Sequence, residues 1–92
     1  MEDLYLKISN GYIHIDWSSN ESLNPDATGV IGIYVYDLNG EEHPTLEGGE
    51  FDIFDDNELD THIKDVFKFI EIPEDTEYEI ITEDEFDKIC YE

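Results

Sequence analysis

Arginine is missing from this 92-residue chain, lysine occurs only four times, and against those four cations stand 26 Asp and Glu residues, for a formal charge of −22. With no basic run, the chain has nothing to hold phosphates. Direct binding to free DNA or RNA is excluded, and so is attraction to an anionic lipid surface. No apolar stretch approaches the ~20 residues that cross a bilayer, and no basic segment followed by an apolar run marks a secretory leader. The single cysteine, Cys90, has no second thiol to pair with; its apolar context reads as a small buried hydrophobe in a reducing compartment, so the expected location is cytoplasmic. Glycine-rich phosphate loops, nucleophile elbows and metal-ligand Cys/His spacings are absent as well. His14 lies on a strand, His43 precedes Pro44 and His62 falls on the expected solvent side of a helix, so nothing draws them together around Cys90. A pair of carboxylates can always be picked from 26, which makes such a pair no evidence of catalysis. The expectation is a non-enzymatic protein with no cofactor and no metal.

What is present argues for a folded domain. The chain is 39% hydrophobic and 13% aromatic, with twelve Ile, five Phe, six Tyr and one Trp, too apolar for a disordered acidic segment. Residues 1–92 read as one domain with a single modest core. A net charge of about 2 to 8 is enough for solubility, and further like charge on a small globule opposes compaction. The excess therefore asks for a reason. Adaptation to high salt is a poor one, because one Ala, no Arg and abundant Ile, Asn and Tyr reflect an AT-rich coding bias instead. Duplex DNA carries one charge per roughly 1.7 Å, so 22 charges correspond to about 37 Å of duplex. A domain of this length should be roughly 30 Å across, which matches the duplex segment in both charge and size.

The acids are uneven along the chain. Residues 1–40 hold six acids and Lys7, a net of −5, whereas residues 41–92 hold twenty acids with Lys64, Lys68 and Lys88, a net of −17. Leu4, Leu6 and Ile8 alternate with polar residues, as do Ile13, Ile15 and Trp17 after Asn10-Gly11, which predicts a hairpin of half-buried strands. Residues 18–28 read as a loop. Val30 to Leu38 predicts a third strand, with Ile31, Ile33 and Val35 on one side and Gly32, Tyr34 and Tyr36 on the other. Asn39-Gly40 signals a second turn, followed by a return strand from Glu41 to Leu46 that Pro44 restricts to an edge or bulge. Glu50 to Phe54 alternates cleanly, Phe51 and Ile53 inward. Leu59, Ile63, Val66, Phe67 and Ile70 fall at helical spacing, with Asp56 or Asn57 placed as cap and Pro73 as terminator. Glu77 to Ile81 predicts a strand, and Thr82 to Glu85 has the form of a capping box opening a short helix with Phe86, Ile89 and Cys90 inward. The expected fold is α+β: an antiparallel or mixed sheet of about five strands, with one long and one short C-terminal helix on one face, in the order β-β-β-(β)-β-α-β-α.

Two acidic groups stand out as candidate partner-binding residues: Glu50, Asp52, Asp55, Asp56, Glu58 and Asp60, then Glu74, Asp75, Glu77, Glu79, Glu83, Asp84, Glu85 and Asp87. A charge run is usually a solvated face, but such faces mix in Lys to lower repulsion, and here three Lys accompany twenty acids. Calcium is the competing reading. The stretch Asp52 to Asp60 has oxygens, yet lacks the turn glycine and alternating ligands of an EF-hand. Tyr34 and Tyr36 are either lining beneath a helix or exposed anchors at an interface.

In small size, charge and rows of carboxylates on strands and helices, the whole chain resembles, in composition, the small acidic inhibitors of phages and mobile elements that mimic DNA. These include anti-CRISPR proteins, anti-restriction proteins and the uracil-DNA glycosylase inhibitor. The resemblance implies a partner with a basic nucleic-acid-binding groove, a nuclease or a CRISPR effector, met in the host-cell cytoplasm; it transfers no individual residue. Two alternatives share part of the physics: an immunity protein that covers the active site of a cognate toxin, and a calcium-binding or structural acidic domain.

Overall fold

In the computed structural model, which describes residues 2–18, 26–54 and 59–90, the period-two segments form strands β1 (Glu2–Ile8), β2 (Gly11–Ser18), β3 (Gly29–Tyr36) and β4 (Gly49–Ile53). A 3-10 turn over Leu59–His62 leads into helix α1 (Ile63–Phe69), and strand β5 (Glu79–Ile81) and helix α2 (Glu83–Cys90) follow. Every strand pair is antiparallel, and the sheet runs β4-β3-β2-β1-β5. The α+β class and five strands thus match the sequence.

Register sorts the side chains into two unlike faces. Leu6, Ile13 and Val35 lie abreast on β1, β2 and β3, with Leu4, Ile15 and Ile33 in the next row and Trp17, Ile31 and Phe51 beyond. Against this aliphatic face α1 packs Ile63, Val66 and Phe67, joined by Ile70, and the cluster is the main core. Alternation puts Tyr5, His14 and Tyr34 abreast on the opposite face, beside the row Lys7, Tyr12 and Tyr36. There α2 docks through Phe86 onto Tyr12 and Ile81 in a second, smaller core. The helices therefore cover opposite faces, not one face as expected. The reason is chemical: the tyrosine row is apolar enough to seat a helix of its own.

Three further departures have identifiable causes. The return strand after Asn39-Gly40 does not form. The turn itself is built, with Gly40 at φ 82 and the Asp37 carboxylate accepting from the Asn39 and Glu41 N–H groups at 2.8 and 3.0 Å. Beyond it the chain accepts a bond from the Asp37 N–H at the Glu41 carbonyl oxygen, forms the bridge Tyr36 to Glu42 and donates the His43 N–H to the Val35 carbonyl oxygen before Pro44 leads it away. Secondly, the expected long helix is a 3-10 turn of four residues and an α-helix of seven, shorter than the eight-residue α2. The expected cap, Asp56 or Asn57, lies outside the described residues. His62 takes the N-cap position and is buried, where the sequence placed it on the solvent side, because the 3-10 turn shifts the helical phase. The helix stops before Pro73: Glu71 adopts φ 65, its N–H donates to the Lys68 carbonyl oxygen and the Ile72 N–H to that of Phe67, the bond pattern of a Schellman cap. Thirdly, the first hairpin turns on Ser9 and Asn10, with Ile8 paired to Gly11. Gly11 serves close approach instead, since a Cβ there would fall 2.2 Å from the Tyr36 carbonyl oxygen. The box at α2 forms as expected at its Thr82 side, whose Oγ1 accepts from the Glu85 N–H at 3.2 Å.

One histidine holds the irregular segment after β3. His43 is buried; its Nδ1 accepts from the Thr45 and Leu46 N–H groups at 3.2 and 3.0 Å, which leaves Nε2 protonated and donating to the Asn10 carbonyl oxygen at 3.1 Å. Replacing His43 with Ala strands those three backbone groups and is expected to cost about 1–3 kcal/mol in urea unfolding. A loss below about 0.5 kcal/mol would show that the segment holds itself.

Candidate partner-binding face

The tyrosine-bearing face also gathers carboxylates. Asp3 and Asp16 face each other across β1 and β2, and the same row continues through Gly32 to Glu50 on β4. Asp52, two residues on, lies about 6.6 Å further along β4 on the same side. At the other edge Glu79 of β5 lies abreast of Lys7. Above them α2 presents Glu83, Asp84, Glu85 and Asp87, all exposed, with Lys88 in its last turn. Like charges set directly across a strand pair are destabilising. Asp3 lessens that cost by bonding His14, whose Nε2 is 3.1 Å from the Asp3 carboxylate.

The two helix layers differ in sign. From Ile63 to Glu71 the α1 layer carries Lys64 and Lys68 against Asp65 and Glu71, a formal charge of zero. Across α2, Glu83 to Cys90, four acids stand against Lys88, a charge of −3. The two helices thus differ in charge, although the connection after α1 adds Glu74, Asp75 and Glu77 on its own side.

Aromatic rings form a ladder through the middle of this face. Tyr5 stacks on His14 at 4.6 Å and 7°, and His14 on Tyr34 at 5.5 Å and 29°. Phe86 caps the ladder, 4.8 Å from Tyr5, 5.8 Å from His14 and 5.3 Å from Tyr36. The two candidate anchors therefore part company. Tyr36 is half-buried beside Phe86, whereas Tyr34, at the margin of α2, remains 48% exposed.

Of the sequence candidates, Glu50, Asp52, Glu79, Glu83, Asp84, Glu85 and Asp87 belong to this face. They do not form one compact cluster, because β4 and β5 are opposite edges of the sheet, four strand spacings or about 19 Å apart. Glu74, Asp75 and Glu77 are exposed on the connection from α1 to β5, and Glu74 pairs with Lys68 of the α1 layer at 2.8 Å. Asp55, Asp56 and Glu58 lie outside the described residues, as does the side chain of Asp60, so the calcium-like stretch is only partly visible. Among the described residues no three His, Cys, Asp or Glu side chains group as metal ligands, and no helix is long and apolar enough to cross a membrane.

Sequence reasoning missed Asp3 and Asp16. Their signal was present in the hairpin, since pairing Ile8 with Gly11 places Asp3 opposite Asp16, but two isolated acids in a mildly charged half attract no notice. Compared with protein-family models, curated proteins and solved structures, the chain matches none of them.

Proposed function

We propose that this protein is a non-enzymatic, cytoplasmic inhibitor that occupies the basic nucleic-acid-binding groove of a nuclease or other host-defence protein, its carboxylates standing where phosphates would. The observation that supports this reading is a gathering of charge: carboxylates on four strands and on α2 share one face, while the stretch Ile63 to Glu71 behind the sheet pairs its two acids with two lysines. A merely soluble domain has no need of that arrangement and lowers its self-repulsion by mixing signs. The dimensions agree with it. The molecule measures 38 × 26 × 20 Å, and its long axis equals about 37 Å of duplex carrying the same charge.

The test is competition. The tagged protein, incubated at low salt with a nuclease-treated bacterial lysate, is expected to retain a basic protein that is released both by a salt gradient and by added duplex DNA at constant ionic strength. Retained proteins that salt releases and DNA does not would defeat the mimicry, because a partner that leaves its nucleic-acid groove open is bound in some other way.

A further inference from the structure

Beside β3 the sheet is incomplete. Strand β4 begins at Gly49, opposite Ile33, so the end of β3 has no β4 partner, and between Pro44 and Gly48 the chain leaves the ladder, with Leu46 packed against the main core. The result is a groove of about 720 Å³ lined by Tyr34, Tyr36 and Leu46, with Glu42, Glu47 and Glu50 among its walls. Its end is fixed by backbone contact, as a Cβ on Gly48 would lie 2.1 Å from the Ile33 carbonyl oxygen. The three carboxyl-bearing residues are exposed, and no Lys or His lines the groove.

We infer that this groove receives an arginine-bearing segment of the partner. The inference rests on the reading that the partner is basic, and adds where and through which side chain it is gripped. Three carboxylates repel anions, and a wholly apolar occupant would strip them of water without replacing the lost contacts. A second copy of the chain brings another 22 negative charges and is disfavoured for the same reason. Arginine satisfies each wall: its methylene stem lies along Leu46, its planar guanidinium stacks on a tyrosine ring, and its forked N–H groups meet carboxylates in pairs. Lysine offers the charge without the plane or the fork. The volume exceeds one side chain and suits a short stretch of chain.

The probe is the peptide acetyl-Gly-Arg-Gly-Arg-Gly-amide, titrated at low salt into the 15N-labelled protein, with lysine and citrulline versions alongside. Amide shifts are expected to concentrate at Tyr34, Gly48 and Gly49, with affinity falling from arginine to lysine and vanishing for citrulline. The pair Glu47→Gln and Glu50→Gln should weaken arginine-peptide binding about tenfold, the loss of one good charged contact. Asp84→Asn with Asp87→Asn removes equal charge from α2 and should change it less than about twofold. Tyr34→Leu keeps the groove apolar and should abolish the preference for arginine over lysine. Shifts spread over α2 and the sheet, equal effects of the two charge pairs, or no arginine-peptide binding would each overturn the groove. The DNA competition described above separates this from the broader reading: a DNA-displaceable partner with a silent groove sinks only the groove, and a filled groove with a partner indifferent to DNA sinks only the mimicry.

Discussion

Association with the basic partner should slow by about 10- to 1,000-fold as salt is raised from 0.01 to 1 M, because the attraction that steers the encounter is screened over that range. The Debye length falls from about 30 Å, comparable to the molecule itself, to about 3 Å, shorter than one strand spacing. The gathering of charge on one face makes a sharper form of the test. Neutralising Asp16, Glu50 and Asp52 as Asp16→Asn, Glu50→Gln and Asp52→Asn takes three charges from the α2 face. Neutralising Asp65, Glu71 and Glu74 in the same manner takes three from the α1 side, where Glu74 already engages Lys68. Both variants have the same net charge. Stopped-flow association at low salt should nevertheless be about tenfold slower for the first than for the second. Equal slowing would mean that only total charge matters and that the face has no special role.

Phe86→Ala should be the most damaging single change outside the main core. Phe86 is buried, joins α2 to Tyr12 and Ile81, and touches Tyr5, His14 and Tyr36. Removing such a ring costs about 3–5 kcal/mol, a large share of the 5–15 kcal/mol that stabilises a typical domain. In a domain of this size that lowers the melting temperature by roughly 15 °C or more. The loss should be local in the first instance. An eight-residue helix does not persist alone in water, so α2 amides should exchange rapidly while those of β2, β3 and α1 stay protected. Undocking would also disperse Glu83, Asp84, Glu85 and Asp87, so partner association should slow in the same variant. Unchanged α2 protection would show that Ile89 and the Thr82 cap suffice to hold the helix.

Local pattern made β1 to β4, β5 and the start of α2 legible in the sequence. Alternation of Leu, Ile and Val with polar residues fixes which face of a strand is buried, and Thr82 to Glu85 marks a helix start by hydrogen-bonding chemistry that acts within four residues. Tertiary choices were less accessible. Period alone does not say to which face a helix returns, and Tyr34 and Tyr36 read equally well as floor or as surface until Phe86 is seen against Tyr36 alone of the two. The buried role of His43 was hidden because it depends on the Asn10 carbonyl oxygen brought in from the first hairpin, and that of His62 because the 3-10 turn shifts the helical phase. The candidate face was legible as an excess of acid and illegible as a place. Asp3 and Asp16 join it through strand register, and Glu74 is drawn to the opposite layer by Lys68.

Sheet order has one more consequence. Among the described residues no further strand pairs with the outer rims of β4 and β5, the positions from which sheets extend into aggregates. One rim bears Glu50 and Asp52; the other is three residues long and begins at Glu79. The carboxylates that would court a cationic cleft therefore also act as bumpers between identical molecules, keeping one sheet rim from adding to the next.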